Sequence, residues 1–181
     1  MHRRSDDLGI VAIFDTLVFL IVAILLSVSL LIASTLVARE STATAEEQLL
    51  GYADHTLRAY VQSTLPNATY RDADGEQVVR PPGTTAAGFL IAEDLAVRDE
   101  GAPAGNFAEL EGNLSAQLRS LIRGDLDYLL EARYGAQTVH LPIGKDQSDL
   151  PRRTYAATQQ LSMVFGKPGE VTVVLWVWPR A

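Results

Sequence analysis

The pattern of apolar and polar positions is most uneven near the start of the chain. From Ile10 to Val37 the sequence is apolar except for hydroxyl residues and one acid, Asp15. A hydrocarbon core of about 30 Å needs about 20 apolar residues at about 1.5 Å rise per residue. The apolar region of a secretory signal is about half as long as this run. The pattern therefore predicts a transmembrane helix over residues 10–37, preceded by a short polar segment over residues 1–9.

The helical pattern continues beyond the apolar run. Residues 38–64 contain no proline, and apolar residues recur at three- and four-residue spacings: Leu49, Leu50, Ala53, Leu57, Tyr60 and Val61. Leu65 precedes Pro66, and the residue before a proline is disfavoured in a helix. We expect a soluble continuation of the first helix over residues 38–65. The segment Ser-Thr-Ala-Thr-Ala at 41–45 is the least stable part of this predicted helix, and a hinge there is the alternative to a continuous helix.

Two short strands and a helix are predicted next. Residues 68–71 and 77–80 are strand-like, and Asp72, Asp74 and Gly75 provide the turn between them. After Pro81-Pro82-Gly83, Thr84 or Thr85 can cap a helix that runs to about Arg98.

The strongest amphipathic pattern in the second half lies between Phe107 and Tyr134. It predicts a second long helix, ended by Gly135. Its apolar face would consist of leucines and one isoleucine: Leu110, Leu114, Leu118, Leu121, Ile122, Leu126, Leu129 and Leu130.

The remainder of the chain predicts β structure. Strands are expected over 138–141, 154–165 and 171–178, with a polar loop over 142–151. The last strand is apolar on both faces, so it is either central and covered on both faces, or it presents Trp176 and Trp178 to a partner or to the lipid headgroups. The fold class is therefore α+β, with a long N-terminal transmembrane helix and an extracytoplasmic domain over 66–181 that contains a second amphipathic helix and an antiparallel sheet.

Composition narrows the function classes. The 181 residues include no cysteine, which excludes disulfides, thiolate metal sites and a cysteine nucleophile. Three of the 22 acidic and three of the 15 basic residues precede Glu40, which leaves 19 acidic and 12 basic residues in the rest of the chain. This acidic balance argues against a nucleic-acid partner, because polyanions attract Lys and Arg.

Candidate catalytic chemistry is sparse. His55 and His140 have no nucleophile motif near them, and no phosphate loop or zinc-protease motif occurs. The acids Asp125 and Asp127 would lie on different faces of the predicted helix. A calcium loop that began at Asp72 would need a glutamate where Gly83 stands. We predict a non-enzymatic protein without metal or cofactor.

Charges beside the apolar run predict the topology. Arg3 and Arg4 precede it and Arg39 follows it, which favours a cytosolic N-terminus because Lys and Arg stay inside. Two N-glycosylation sequons, at Asn67 and Asn113, agree with an external C-terminal domain.

The start of the chain resembles the type IV pilin-like proteins, in particular the archaeal proteins with a class III signal peptide. The similarity covers 40–65 residues and rests on Arg3-Arg4, Gly9 at the end of the leader, and the early acid Asp15. It implies cleavage after Leu8 or Gly9 by a prepilin peptidase, and packing of the apolar helix against other subunits in a filament. The sequence departs from the family pattern in placing Asp6-Asp7 before the small residue, where Lys or Arg is usual.

Asp15 permits three interpretations. An acid within a membrane segment is costly unless it lies near an interface or is paired. It could lie at headgroup depth, pair with a cation on a neighbouring helix and so set the register of an assembly, or take part in proton transfer. The last would need a second intramembrane acid, which the run lacks.

The sequence thus predicts a single-pass membrane protein with an external domain, acting as a pilin-like or pseudopilin-like structural subunit. Its expected partners are membrane lipid, other copies or related subunits through the N-terminal helix, and a prepilin peptidase. The alternative is a membrane-anchored extracytoplasmic ligand-binding module, in which the helix only localises the domain.

Overall fold

The computed structural model describes the backbone of residues 4–72 and 74–180 and the side chains of 17–35, 44–72 and 74–180. The chain divides into two compact units, Met1–Glu46 and Glu47–Ala181. Helix α1 is assigned to Arg4–Gln62, so it supplies the first unit and also the first helical turns of the second.

The second unit is α+β. Its helices are the last turns of α1, then α2 over Ala87–Asp99 and α3 over Ala108–Leu121, with 3₁₀ turns at Ala104–Phe107 and Gln147–Asp149. Its strands are β1 (Ala68–Arg71), β2 (Gln77–Arg80), β3 (Leu126–Tyr134), β4 (Gln137–Leu141), β5 (Tyr155–Ser162) and β6 (Glu170–Pro179). The predicted class and antiparallel sheet are confirmed.

The strands form a hairpin and a sheet. β1 and β2 pair antiparallel, as the turn residues between them predict. The four-stranded antiparallel sheet has the order β4-β3-β6-β5, so β6 is an interior strand. The predicted central position of β6 is confirmed. Its core face is buried, whereas on the outer face Trp178 is buried and Thr172, Val174 and Trp176 are half-buried.

The predicted helix over 107–134 is wrong in its second half. α3 ends at Leu121, the chain turns at Arg123-Gly124-Asp125, and β3 begins at Leu126. Leu126 and Leu130 fit an alternating strand pattern as well as a helical one, and pairing with both β4 and β6 favours the strand. Gly124, which weakens a helix, was the signal in the sequence for this break.

Helix α2 begins later than predicted, and neither threonine caps it. The N-cap is Ala86, which has no side-chain capping bond, while the Thr84 hydroxyl donates to the Pro81 carbonyl instead. The backbone supplies the substitute: the Ala87 N–H donates to the Ser63 carbonyl at 2.7 Å. The end of α1 thus anchors the start of α2.

The core lies between the helices and one face of the sheet. From α1 it receives Ala53, Leu57, Tyr60 and Val61, as the helical spacing predicts, whereas Leu50 is exposed. Two tyrosines of α1 also bond to the backbone of the following elements. The Tyr60 hydroxyl donates to the Leu114 carbonyl, and the Tyr52 hydroxyl donates to the Leu121 carbonyl and accepts from the Arg123 N–H.

At Gly88 the elements of this core approach each other closely. A Cβ atom at that position would lie 3.0 Å from the Val61 carbonyl oxygen and 3.2 Å from Leu161 Cδ1. A larger residue would require these neighbours to shift by a few tenths of an ångström.

The opposite face of the sheet carries a smaller buried group. Leu129 and Glu131 on β3 are buried there, opposite Trp176 and Val174 of β6. The β4–β5 loop contributes to their cover, since Gln147 bonds to Glu131 and the Lys145 ammonium lies 5.6 Å from the Trp178 ring centroid.

Candidate functional site

The segment Leu17–Thr35 of α1 is the candidate membrane span. It is a helix long and apolar enough to cross a bilayer, although a signal sequence would share these features. The large apolar side chains between Leu17 and Ile32 are between 48% and 75% exposed. None of this span is buried against other described residues of the chain.

The hydroxyl groups of this segment are satisfied within the helix. Each donates to a backbone carbonyl one turn earlier, at 2.8 or 2.9 Å: Ser27 to Ala23, Ser29 to Leu25, Ser34 to Leu31 and Thr35 to Ile32. Hydroxyls bonded in this way cost little when transferred into lipid. The surface of the segment is therefore almost wholly apolar.

The predicted assembly and cleavage residues lie outside the residues whose side chains the structure describes. Asp15, Leu8 and Gly9 belong to the helical backbone of α1, and their side-chain surroundings are not part of the description. Their predicted roles stay predictions.

The two sequon asparagines lie side by side. Asn67 is exposed just before β1, and Asn113 is half-buried on α3. The Asn113 side-chain amide donates to the Asn67 carbonyl at 3.4 Å. A glycan on Asn113 would need the nitrogen that makes this bond, so the folded domain favours Asn67 as the acceptor.

A polar cluster around Glu131 lies on the outer face of the sheet. Glu131 is 2% exposed, and its carboxylate contacts the Arg133 guanidinium, His140 Nε2 at 3.0 Å and Gln147 Nε2 at 3.2 Å. The β3–β4 register places Glu131 directly opposite His140. With Asp146 and Ser148, these residues line a cavity of about 310 Å³.

The contacts of this cluster order the β4–β5 loop. The Ser148 hydroxyl donates to Asp146 at 2.5 Å, and the Ser148 N–H donates to the same carboxylate, which caps the 3₁₀ turn. Glu131 was not predicted as a site residue, because the pattern over 107–134 predicts a helix there. The strand that contains His140 was predicted correctly, and recognition of β3 would have placed Glu131 opposite His140.

The remaining sequence candidates have ordinary environments. His55 is exposed on α1. Asp125 and Asp127 do not share a helix, since Asp125 lies in the turn and Asp127 on β3. Asp125 pairs with Arg123 and Asp127 with Arg180.

A second buried cluster joins α2 to α3. Asp94, with no exposed surface, bonds to Arg98 at 2.5 Å, and Arg98 also bonds to Glu111 at 2.5 Å. Burial raises the pKa of Asp94 to about 7, against the opposing effect of Arg98, and burial likewise raises the pKa of Glu111. The neighbouring Glu93 contacts Arg80 of β2. These acids fix helix contacts and are far too enclosed to meet a ligand.

An open cavity of about 410 Å³ lies between the β1–β2 hairpin and the start of α3. Its lining includes Arg71, Gln77, Asn106 and Glu109, most of them exposed. It is the feature most relevant to the ligand-binding alternative. Across the part of the chain that is described, no group of three or more His, Asp or Glu residues is placed to hold a metal ion.

Comparison with known proteins gives no relative. No family model matches the chain, and neither a curated protein nor a solved structure is significantly similar to it.

Proposed function

We propose that this protein is a membrane-anchored, non-enzymatic structural subunit, similar to the pilins or pseudopilins, that displays the second unit outside the membrane. The observation that carries the proposal is the exposure of the apolar side chains of Leu17–Thr35. Removing such a surface from water is strongly favourable, at about 25 cal/mol per Å². Lipid covers it in the anchored subunit, and neighbouring helices cover it in an assembly.

Orientation with the N-terminus in the cytosol and the domain outside is supported by charge and by the sequons. Arg3 and Arg4 precede the span, and the region after it is acidic. Asn67 is exposed on the domain, as a glycan acceptor has to be. The early acid Asp15 and the leader ending at Gly9 support the pilin-like assignment over a passive anchor.

Membrane extraction and N-terminal sequencing test the proposal together. The chain should stay in the membrane fraction through an alkaline carbonate wash, with residues 1–8 or 1–9 missing from its N-terminus. Retention of Met1 or His2 would contradict processing. Release of a soluble chain that lacks the apolar segment would identify that segment as a signal sequence and contradict the anchor.

Substitution of Asp15 tests its role in assembly. We expect Asp15→Ala to leave membrane insertion intact but to reduce the recovery of higher assemblies after gentle detergent extraction. Asp15→Glu, which retains the charge, serves as the control. Equal assembly in all three proteins would contradict a role for this acid.

A further inference from the structure

The sheet ends on one side at β5, an eight-residue strand without the usual protection of a sheet edge. Natural edge strands avoid pairing with other chains by shortness, charge, proline or a bulge. Residues 154–162 contain no charged residue and no proline, and β5 pairs with β6 through eight successive residues without a bulge. The other edge strand, β4, has five residues, and its His140 is held by Glu131.

The backbone direction shows which residues of β5 face the open edge. Just beyond the strand, the Met163 N–H donates to the Gly169 carbonyl on the β6 side. In an antiparallel sheet, alternate residues direct both backbone groups to the same neighbour. Odd-numbered residues of β5 therefore bond to β6, and even-numbered residues direct their N–H and C=O groups to the open edge: Ala156, Thr158, Gln160 and Ser162.

Side chains at this edge suit another strand. Those of the four even-numbered residues are exposed on the outer face of the sheet. On the core face, Tyr155 and Leu161 are only half-buried, although both pack against the core. A strand added to β5 would cover them while its backbone groups pair with the edge.

We propose that this edge binds β5 of a second copy of the chain, antiparallel about a two-fold axis at Thr158, which joins two sheets into one. A two-fold arrangement places each residue opposite its own counterpart or a symmetry-related one. Thr158 then faces Thr158 of the second copy, Ala156 faces Gln160, and on the core face Tyr155 faces Leu161. This register keeps every side chain on the face it already occupies.

Charge and location favour a second copy over a strand of another protein. β5 is uncharged, so two copies meet without like-charge repulsion between the paired strands. The inference also rests on the proposed function, because anchoring in one membrane raises the local concentration of identical chains. An edge that is weak in solution can therefore be occupied on a membrane surface.

Single-cysteine cross-linking tests the pairing. Because the sequence contains no cysteine, every disulfide within a dimer of the chain has to come from the introduced residue. Residues that exchange backbone bonds across an antiparallel pair have Cα atoms about 5.5 Å apart, which is within disulfide range. The full-length Thr158→Cys chain, in native membranes under mild oxidation, should give at least about tenfold more disulfide dimer than Thr138→Cys. Thr138 is the matched control, since it is an exposed threonine on the opposite edge strand.

A mixture of two variants tests the register. Ala156→Cys and Gln160→Cys chains should cross-link strongly to each other and weakly to themselves. Yields at Thr158 equal to those at Thr138 would overturn the inference, and so would a cross-link from Thr158→Cys only to a different protein. Circular dichroism of each variant, unchanged from the parent, excludes misfolding. If the chain remains in carbonate-washed membranes but does not cross-link, the edge inference fails while the anchor stands.

Discussion

The apolar segment of α1 and the core of the second unit contain the same residue types in opposite surroundings. Leu25 is 61% exposed, whereas Leu114 on α3 is 0% exposed. In the second unit, leucines of α1, α2, α3 and the sheet are buried against one another. The apolar side chains of residues 17–35 are exposed. In the proposed function these apolar residues contact lipid or other subunits, so the comparison separates the residues that fold the second unit from those that would localise the chain.

The largest expected effect comes from placing charge in the apolar segment. The double substitution Ile24→Arg/Leu25→Arg should cost about 5 to 7 kcal/mol of membrane insertion, because each arginine at the centre of a span costs about 2.5 to 3.5 kcal/mol. Carbonate extraction should then release the protein from the membrane. Ile24→Ala/Leu25→Ala is the control and should remain bound. An arginine variant that stays in the membrane would contradict the anchor.

The same leucine-to-alanine change in both regions tests the comparison directly. Leu114→Ala should lower the free energy of unfolding by about 2 to 5 kcal/mol, as expected for a fully buried leucine. Leu25→Ala should change it by less than about 0.5 kcal/mol. Tryptophan fluorescence during denaturant unfolding in detergent is the measurement, since both tryptophans lie on β6 and report the second unit only. Similar losses in the two variants would invalidate the distinction.

Substitution of two glycines, one in close contact with α1 and one in open space, tests how tightly the core is packed. Gly88→Ala should destabilise the second unit by about 1 to 3 kcal/mol, because its Cβ would approach the Val61 backbone and Leu161 too closely. Gly112→Ala on α3 meets nothing within 4 Å and should stabilise by up to about 1 kcal/mol through helix propensity. The same fluorescence assay applies. A neutral Gly88→Ala would mean that α1 and α2 are not in close contact.

The smallest expected effect concerns pH. The folded-state pKa of Asp94 is raised to about 7 from an ordinary value of 3.8, so its stabilising contribution is complete at low pH and is lost as pH rises towards 7. Glu111 shifts in the same direction. The unit should therefore lose stability as the pH rises from 5 to 8 through this cluster. Asp94→Asn, which keeps the Arg98–Glu111 pair, should show a smaller change. An identical pH dependence in both proteins would contradict the buried carboxylate.

Periodicity alone was enough for several elements of the fold. The apolar run and the stripe through Leu57 and Tyr60 fit a helix, and the alternation in β5 fits a strand, so α1 and the tail strands were predicted close to their observed bounds, except that β5 ends at Ser162 and not at Phe165. The turn residues predicted the β1–β2 hairpin. Residues 122–134 fit both a helical stripe and an alternating strand. Only pairing with β4 and β6, which no local pattern contains, decides between them.

The polar clusters were harder to predict than the elements. Acidic residues such as Glu131 and Asp94 are usually found on the surface, so nothing local in the sequence predicts their burial. Glu131 is held by Gln147, and Asp94 is linked through Arg98 to Glu111. Gly88 likewise carries no local signal, because its constraint comes from Val61. Asp15 is the reverse case: the sequence identifies it as unusual, and its predicted role in assembly involves other chains.

The two hydrogen bonds of Tyr52 have a consequence for how the second unit acquires its fold. They join α1 to the carbonyl of Leu121 and the N–H of Arg123, the point at which a segment with helical preference has to become a strand. A peptide of residues 107–134 on its own would follow its local preference across this point. The helix-to-strand switch is therefore stabilised by contacts from both directions along the chain: the bonds of Tyr52 on α1 fix the turn, and pairing with β4 and β6 fixes the strand that follows. Distant contacts thus resolve a local conflict in the sequence.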